Sequence, residues 1–183
     1  MRASYTRKRI MLEVAAIVED SIVDGPGLRT VVFFQGCRHH CKGCHNPQTW
    51  AFSGGVPYTP ESLFQEVSKN NITRHITLSG GDPLYQCHFE LFHFIYLLKE
   101  HGYDIIIYTG FSLEAIQEGF HSKAPEVRLL DNVIFVTDPF IESMKSLEVP
   151  FRGSKNQRVV KMLYTANDEI QWIDLTHEKE WSF

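Results

Sequence analysis

Three of the four cysteines of the chain lie within eight consecutive positions, in the segment GCRHHCKGCHN. Cys37, Cys41 and Cys44 follow a C-x3-C-x2-C spacing, whereas Cys87 lies far downstream. Thiolates are soft ligands that suit zinc, copper(I) and iron–sulfur clusters. Clustered thiols in a reducing compartment are more typical of a metal site than of a disulfide framework. The segment therefore predicts a metal site to which cysteine supplies three ligands.

Two kinds of metal site fit this spacing. The loop is compact enough to wrap three corners of a four-iron, four-sulfur cluster, with Gly36 and Gly43 relieving crowding beside inorganic sulfide. The alternative is a structural zinc ion whose fourth ligand is His39, His40 or His45. Spacing alone leaves both kinds of site open.

Five apolar runs predict strands that are buried on both faces. These runs are Thr30–Phe34, His75–Leu78, Asp104–Tyr108, Asn132–Val136 and Arg158–Tyr164. Helix patterns begin after Thr59 and Pro60, run from about Tyr85 to His101 and from Ser112 to Gly119, and begin again near Phe140. This alternation predicts βα units with right-handed crossovers. Because 183 residues are few for a complete eightfold barrel, we expect an α/β fold that forms a partial (β/α) barrel of about five or six units.

Four of the predicted strands are followed by segments rich in glycine or polar residues. These segments are GCRHHCKGCHN, SGGDPL, YTGF and VTDPF. Since the carboxyl ends of parallel strands meet at one edge of a sheet, we expect all four segments on one rim. Turn chemistry alone explains glycine-rich loops, but it does not explain three cysteines, which mark this rim as the functional face.

Composition and charge limit the class of function. A net charge of −4 gives no electrostatic case for a nucleic acid or a membrane as partner. The apolar stretch after the basic start is broken by Glu13 and no convincing cleavage site follows, so we expect a cytoplasmic protein. We expect one domain over residues 1–183, with a flexible basic start at 1–10 and a C-terminal extension at 167–183.

The C-x3-C-x2-C segment, followed after the next predicted strand by GGDP, resembles the radical S-adenosylmethionine enzymes. The segments VDGPGLRTVVFFQGC, GCHNPQTW, SGGDPL and FRGSKNQR narrow this resemblance to the family of anaerobic ribonucleoside-triphosphate reductase activating proteins. It extends from about Val23 to Val160. The resemblance implies that Cys37, Cys41 and Cys44 hold one 4Fe-4S cluster and leave one iron for S-adenosylmethionine. Cys87 is then an ordinary small apolar residue near the start of a helix.

The resemblance also implies an activity and two protein partners. Members of this family reductively cleave S-adenosylmethionine, and the resulting 5′-deoxyadenosyl radical removes a hydrogen atom from a glycine of the anaerobic (class III) ribonucleotide reductase. A low-potential electron donor such as flavodoxin or ferredoxin is the second partner implied. The residues expected to contact S-adenosylmethionine are Gly43, Cys44, His45, Gly80, Gly81 and Asp82.

The GGDP segment has two interpretations. Its glycines permit close backbone approach to a ligand, and the Asp82 carboxylate is able to accept hydrogen bonds from the ligand's ammonium group. Alternatively, the segment is a tight turn in which Asp82 caps the next helix. Under the first interpretation, replacing Gly81 by valine is expected to weaken S-adenosylmethionine binding and to spare iron content.

Some positions depart from the family pattern or have two expected roles. Thr137-Asp138-Pro139 stands where many relatives have Asp-Gly, so a cofactor contact by Asp138 is not implied, and Lys155 stands where a second serine is common.

The residues expected either to shape a docking edge or to hold the barrel together are Asp24, Arg29 and Arg152. The tail residues expected either to cover the barrel edge or to contact the partner are Trp172, Ile173 and Trp181.

Four rival functions remain. Two are radical enzymes: an activase of a different glycyl-radical enzyme, and a small enzyme such as 7-carboxy-7-deazaguanine synthase. The other two are a ferredoxin-like electron carrier, which usually closes its cluster with four cysteines, and a zinc-dependent structural module.

Overall fold

The structure is a computed structural model that describes residues 11–120, 125–178 and 181. Its strands are β1 (Leu12–Ser21), β2 (Arg29–Phe34), β3 (Val56–Tyr58), β4 (His75–Gly80), β5 (Asp104–Tyr108), β6 (Val133–Thr137), β7 (Arg158–Tyr164) and β8 (Ile170–Asp174). Its α-helices are α1 (Pro60–Val67), α2 (His88–Glu100) and α3 (Leu113–Gly119). Short 3-10 turns lie at Pro47–Thr49, Pro83–Tyr85, Pro125–Leu130 and Glu142–Met144. The predicted basic start, residues 1–10, lies outside the described residues.

The eight strands form one mixed sheet in the order β3-β1-β2-β4-β5-β6-β7-β8. The four central strands β2, β4, β5 and β6 are parallel. Helices α1, α2 and α3 provide the three crossovers between them. Parallel neighbours need such crossovers because the chain must return to the same end of the sheet. The carboxyl ends of the four strands therefore lie along one edge.

Two strand pairs flank this parallel centre and run antiparallel to their neighbours. On one side β1 pairs with β2 and β3, and on the other side β7 pairs with β6 and β8. The fold is thus a mixed α/β structure with a large sheet. Among the described residues it has four parallel strands and three α-helices, fewer than the five or six βα units expected.

The helix boundaries follow local capping chemistry. Thr59 accepts a hydrogen bond from the Ser62 backbone N–H at 3.2 Å, with Pro60 at the first helical position. Ser112 caps α3 in the same way through Ala115, also at 3.2 Å. These two predicted starts are confirmed. The helix predicted near Phe140 is wrong, because the chain there forms only the 3-10 turn Glu142–Met144, whose residues are all exposed and offer no apolar face to pack.

Apolar side chains cover both faces of the sheet. The main core packs α1 and α2 against one face, with side chains such as Leu63, Phe94 and Phe34 fully buried. A smaller cluster on Ile106, Ile134, Val136 and Val159 includes Trp181 of the tail. No helix among the described residues is long and apolar enough to cross a membrane.

Candidate active site

One cavity of about 640 Å³ lies at the carboxyl ends of the four parallel strands. We call it the rim cavity. All four segments expected on one rim contribute to its lining. From the cysteine segment and the end of β4 come Cys37, Cys41, Cys44, His45, Gly80 and Gly81, and from the ends of β5 and β6 come Tyr108, Thr109, Gly110, Asp138 and Phe140. Two of the residues predicted to contact S-adenosylmethionine, Gly43 and Asp82, are not part of this lining.

The cysteine loop, residues 36–46, is folded by its own backbone hydrogen bonds. The N–H groups of Gly36 and Cys37 donate to the carbonyls of Thr49 and Trp50, at 2.7 and 3.1 Å. Inside the loop, the Cys44 N–H donates to the Cys41 carbonyl at 3.1 Å. These contacts shape the loop whose three thiols line the rim cavity.

Two thiols of this loop, Cys37 and Cys41, lie in surroundings that favour their neutral form. Burial raises the pKa of Cys37 to about 11 and also raises the pKa of Cys41. Metal binding requires thiolates and therefore releases protons, so it is favoured as the pH rises. None of the four cysteines is in a disulfide.

The donor set suits a cluster better than a single ion. Within residues 11–120, 125–178 and 181, no group of three or more His, Cys, Asp or Glu side chains is arranged to hold one metal ion. Three thiols line one cavity, which matches a cluster whose iron atoms are each bound by a different cysteine. The sulfur ligands themselves suit iron–sulfur chemistry.

The three histidines of the loop each contact an aromatic ring. His40 lies 4.7 Å from Trp50 and His45 lies 5.3 Å from Phe140, measured between ring centroids. His39 lies edge-on to Phe111 at 4.8 Å, and its Nε2 is hydrogen-bonded to a carboxylate.

The two glycines after β4 are required by the neighbouring backbone. Gly80 has φ of +100°, and a Cβ there would lie 2.4 Å from the Phe34 nitrogen. A Cβ on Gly81 would lie 2.5 Å from the carbonyl oxygen of Gly36, at the base of the cysteine loop. The expectation that valine at position 81 would spare iron content therefore does not fit this geometry.

Asp82 is fully buried beneath the cavity. Its Oδ1 accepts a hydrogen bond from the Leu84 N–H at 2.9 Å and so caps the turn Pro83–Tyr85. Its Oδ2 accepts from His39, Thr109 and Gly110. The turn-capping interpretation describes one of these four contacts, and no pattern in the sequence indicates the other three.

Asp138 is held by an ion pair on the far side of the cavity. Its carboxylate accepts from Thr137 Oγ1 at 2.8 Å and from Arg158 Nε at 2.8 Å. Its φ of +77° is unusual for a residue other than glycine. Lys155 forms an exposed ion pair with Glu148 at 3.1 Å.

Arg29 holds the sheet together and does not face a partner. It is fully buried, and its guanidinium donates to Thr77 Oγ1 at 2.8 Å and to the Ile76 carbonyl at 2.7 Å. Burial lowers its pKa to about 10. Asp24 and Arg152 do line the rim cavity. Asp24 accepts from Ser21 Oγ at 2.6 Å.

The sequence did not predict that aromatic residues line the rim cavity. Tyr108 and Phe151 both line it, and the Tyr108 hydroxyl donates to the Phe151 carbonyl at 2.6 Å. Burial raises the pKa of Tyr108. Tyr108 and Thr109 belong to the YTGF segment, so its position after a strand was the available signal. Phe151 begins the FRGSKNQR segment, but that segment did not place it in the cavity, because its position depends on the long connection between β6 and β7.

Comparison with known proteins agrees with this site. A protein-family profile described as "4Fe-4S single cluster domain" matches residues 23–160. The anaerobic ribonucleoside-triphosphate reductase-activating protein of Escherichia coli (strain K12) is 33% identical over 146 residues, covering 75% of this chain and 91% of the relative. The pyruvate formate-lyase-activating enzyme of Clostridium pasteurianum is 40% identical over 106 residues, covering 55% of this chain and 44% of the relative.

A solved structure, titled "Crystal structure of QueE from Escherichia coli", covers 55% of this chain and 53% of its own, with a TM-score of 0.46 and 18% identity.

The fold and the cysteine loop define an iron–sulfur protein with a single-cluster domain. Within that class, the chain belongs to the family of anaerobic ribonucleoside-triphosphate reductase-activating proteins.

Proposed function

We propose that the chain is a radical S-adenosylmethionine enzyme that generates a glycyl radical on an anaerobic (class III) ribonucleoside-triphosphate reductase. The observation that carries this proposal is the identity of 33% over 146 residues to a relative named as an activator of that reductase. The meeting of three thiols in one cavity at the parallel strand ends supports it. The chain would act as one domain of the partial-barrel type.

Cys37, Cys41 and Cys44 would hold the 4Fe-4S cluster in the rim cavity. Cys87 would not, because it stands at the start of α2 and is absent from the cavity lining. Three cysteine ligands leave one iron without a protein ligand, and an open coordination position is typical of a catalytic metal site.

S-adenosylmethionine would bind beside the cluster, against Cys44, His45, Gly80 and Gly81 of the cavity lining. Gly43 would contribute from outside the cavity lining, where its backbone lies close to the Glu142 side chain. When bound, the cluster and S-adenosylmethionine supply one-electron cleavage of a carbon–sulfur bond and abstraction of a hydrogen atom. The protein orients both groups and limits access of water.

The mouth of the rim cavity would admit a glycine-bearing segment of the reductase. Ile22, Val23 and Leu147 lie at this mouth and are 70%, 73% and 97% exposed. A docked protein would cover these apolar side chains and exclude water from the reacting groups. Reduction of the cluster would need a low-potential donor such as flavodoxin or ferredoxin, and the site would work in an oxygen-free cytoplasm.

The deciding experiment mixes the reconstituted, reduced protein with S-adenosylmethionine and the reductase under anaerobic conditions. Electron paramagnetic resonance should then detect a glycyl radical on the reductase. Cofactor cleavage without a radical on the reductase, but with one on pyruvate formate-lyase, would instead assign the chain to the other activase. That second candidate rests on the 40% identity over 106 residues to the Clostridium pasteurianum enzyme.

Serine substitutions test the ligand assignment. Replacing Cys37, Cys41 or Cys44 by serine should abolish or strongly reduce the iron and sulfide bound after anaerobic reconstitution, because each removes one of three thiolates. Cys87→Ser is the matched control and should retain the cluster. Normal iron content in Cys41→Ser, or loss in Cys87→Ser, would refute the assignment.

A further inference from the structure

We propose that Asp82 is a positioning residue that holds the cysteine loop against the turn after β5, and that its carboxylate does not bind S-adenosylmethionine. The part of this inference that concerns the cluster rests on the function proposed above. The part that concerns the loop stands on the hydrogen bonds of the protein alone.

The Asp82 carboxylate connects three segments that follow three different strands. Its Oδ2 lies 2.9 Å from His39 Nε2, in the cysteine loop after β2. The same oxygen lies 2.9 Å from Thr109 Oγ1 and 2.9 Å from the Gly110 N–H, both after β5. Asp82 itself follows β4, which lies between β2 and β5 in the sheet. One carboxylate thus joins neighbouring strand ends across the rim.

The carboxylate has little capacity left for a ligand. Oδ2 already accepts three hydrogen bonds and Oδ1 accepts one from the Leu84 N–H, which leaves at most one acceptor position, on Oδ1. Its side chain is fully buried and is not part of the cavity lining. An ammonium group of a ligand would have to displace a protein donor and enter a closed region.

His39 connects the Asp82 carboxylate to the part of the loop that carries the thiols. It stands two positions from Cys37 and two from Cys41. Its ring is wedged against Gly110, where a Cβ would lie 2.5 Å from the imidazole. The ring of Tyr85, at the end of the turn that Asp82 caps, lies 5.2 Å away. A fixed ring in the middle of the C-x3-C segment restricts both flanking cysteines.

The backbone adds a second connection between the same segments. The Asp82 N–H donates to the Gly36 carbonyl at 3.0 Å, at the base of the cysteine loop. This bond is independent of the side chain, so it remains in a variant at position 82. Loss of the carboxylate should therefore loosen the loop without detaching its base.

The first test measures hydrogen exchange in the protein without cluster, by mass spectrometry. Asp82→Asn, His39→Leu and Thr109→Val should each raise amide exchange in residues 37–44, by about fivefold or more, since each removes a buried hydrogen bond. Thr109→Val is the sharpest variant because it keeps the shape of the side chain. Position 109 lies 65 or more positions after the loop's cysteines in the sequence, and it is joined to the loop through Asp82. Asp168→Asn, an exposed carboxylate that pairs with Arg128, is the matched control.

The second test compares cluster content and ligand affinity. Asp82→Asn and His39→Leu should lower bound iron and sulfide, and the double variant should be no worse than the poorer single variant, because both changes break one connection. His39→Gln, which keeps an N–H donor, should restore much of the content. Fully loaded molecules of each variant should bind S-adenosylmethionine as the wild type does.

Three outcomes would overturn the inference. They are unchanged exchange in residues 37–44 for His39→Leu and Thr109→Val, additive loss of iron in the double variant, and weakened S-adenosylmethionine affinity in Asp82→Asn at normal cluster content. The last outcome would make Asp82 a direct ligand. Failure of the proposed function looks different, since no glycyl radical would then appear on the reductase while the exchange results stood.

Discussion

Arg158 joins two acidic side chains that belong to different elements. Its Nη1 and Nη2 donate to the two carboxylate oxygens of Glu114, on α3, at 2.7 and 2.8 Å. Its Nε donates to Asp138 at 2.8 Å, in the turn after β6. Paired parallel hydrogen bonds of this kind fix geometry as well as charge. The arrangement connects α3 to the wall of the rim cavity.

This ion pair predicts a pH dependence of stability. Hydrogen bonds from Arg158 lower the pKa of Glu114 to about 2, from an ordinary value of 4.5. Because the folded pKa is depressed, the stabilisation is complete above about pH 4.5 and is lost as the pH falls toward 2. Wild type should therefore have a higher thermal unfolding midpoint than Glu114→Gln at pH 7, and this difference should shrink between pH 5 and 2.

Thermal unfolding monitored by circular dichroism across this pH range makes the measurement. Glu118→Gln, on the same helix but outside the Arg158 pair, is the control and should show no such convergence. A difference between wild type and Glu114→Gln that stays constant with pH would show that the pair adds no stability. The effect is expected to be small because Glu114 is largely exposed.

Individual residues also show which features of the site can be predicted from the sequence and which cannot. The three cysteines were recognised because their spacing is local and their chemistry is specific. The contacts of Asp82 were not, because its donors at His39 and Thr109 lie 43 and 27 positions away. Nothing local in GGDP distinguishes a carboxylate that binds a ligand from one that binds the protein.

At the scale of elements, the approach of β4 to β2 governs the base of the cysteine loop. The Gly81 N–H donates to the Phe34 carbonyl at 2.8 Å, so the chain leaving β4 passes directly beside the chain leaving β2. Any side chain at position 81 meets the backbone of Gly36. The two segments that carry the site are thus packed backbone to backbone.

Gly81→Ala should therefore impair both the fold and the metal site. We expect a loss of about 3 kcal/mol in the free energy of unfolding, since the new methyl group meets backbone that has little room to shift. Bound iron should fall as well, because the shift would move Gly36 and with it Cys37. Urea unfolding and iron analysis make the two measurements.

Gly119→Ala is the matched control for this prediction. A Cβ at position 119 meets nothing within 4 Å, so stability and iron content should stay close to wild type. If Gly81→Ala also left stability and iron content unchanged, the close approach of the two strand ends would not restrict position 81.

The positions of the strands were predictable, but the direction of one was not. The runs Asp104–Tyr108 and Arg158–Tyr164 have the same bounds in the sequence prediction and in the structure. The second run is antiparallel to its neighbour β6, because no α-helix returns the chain between them. Apolar content predicts burial, whereas direction depends on the connection. Strands β1 and β8 were missed because exposed polar positions interrupt them, and β3 was missed because it has only three residues, two of them exposed.

At the scale of the whole molecule, the C-terminal tail completes the sheet. Strand β8 carries Trp172, whose ring lies 5.7 Å from Phe135 of the main core. Trp181 is buried in the smaller cluster on the other face, with its ring 5.4 Å from Phe151. Of the two roles expected for the tail, both tryptophans have the covering role.

Trp181→Ala should lower the free energy of unfolding by about 3 kcal/mol, because it removes a large buried ring from a small cluster. It should also alter the rim cavity, since Phe151 lines that cavity and would lose its aromatic neighbour. Denaturant unfolding measures the first effect, and S-adenosylmethionine affinity of the loaded protein measures the second. Tyr96→Ala, at an exposed position on α2, is the control. A stability loss no larger than that of the control would mean that Trp181 does not cover this face.

The hydrogen bonds of Asp82 also set an order of events during protein synthesis. Thr109 lies 27 positions after Asp82, and a ribosome adding about 5–20 residues per second needs roughly one to five seconds to cover that distance. Throughout this interval the cysteines have been made but the residues that secure their loop have not. The cysteine loop therefore reaches its fully hydrogen-bonded form only after β4 and β5 have both been made.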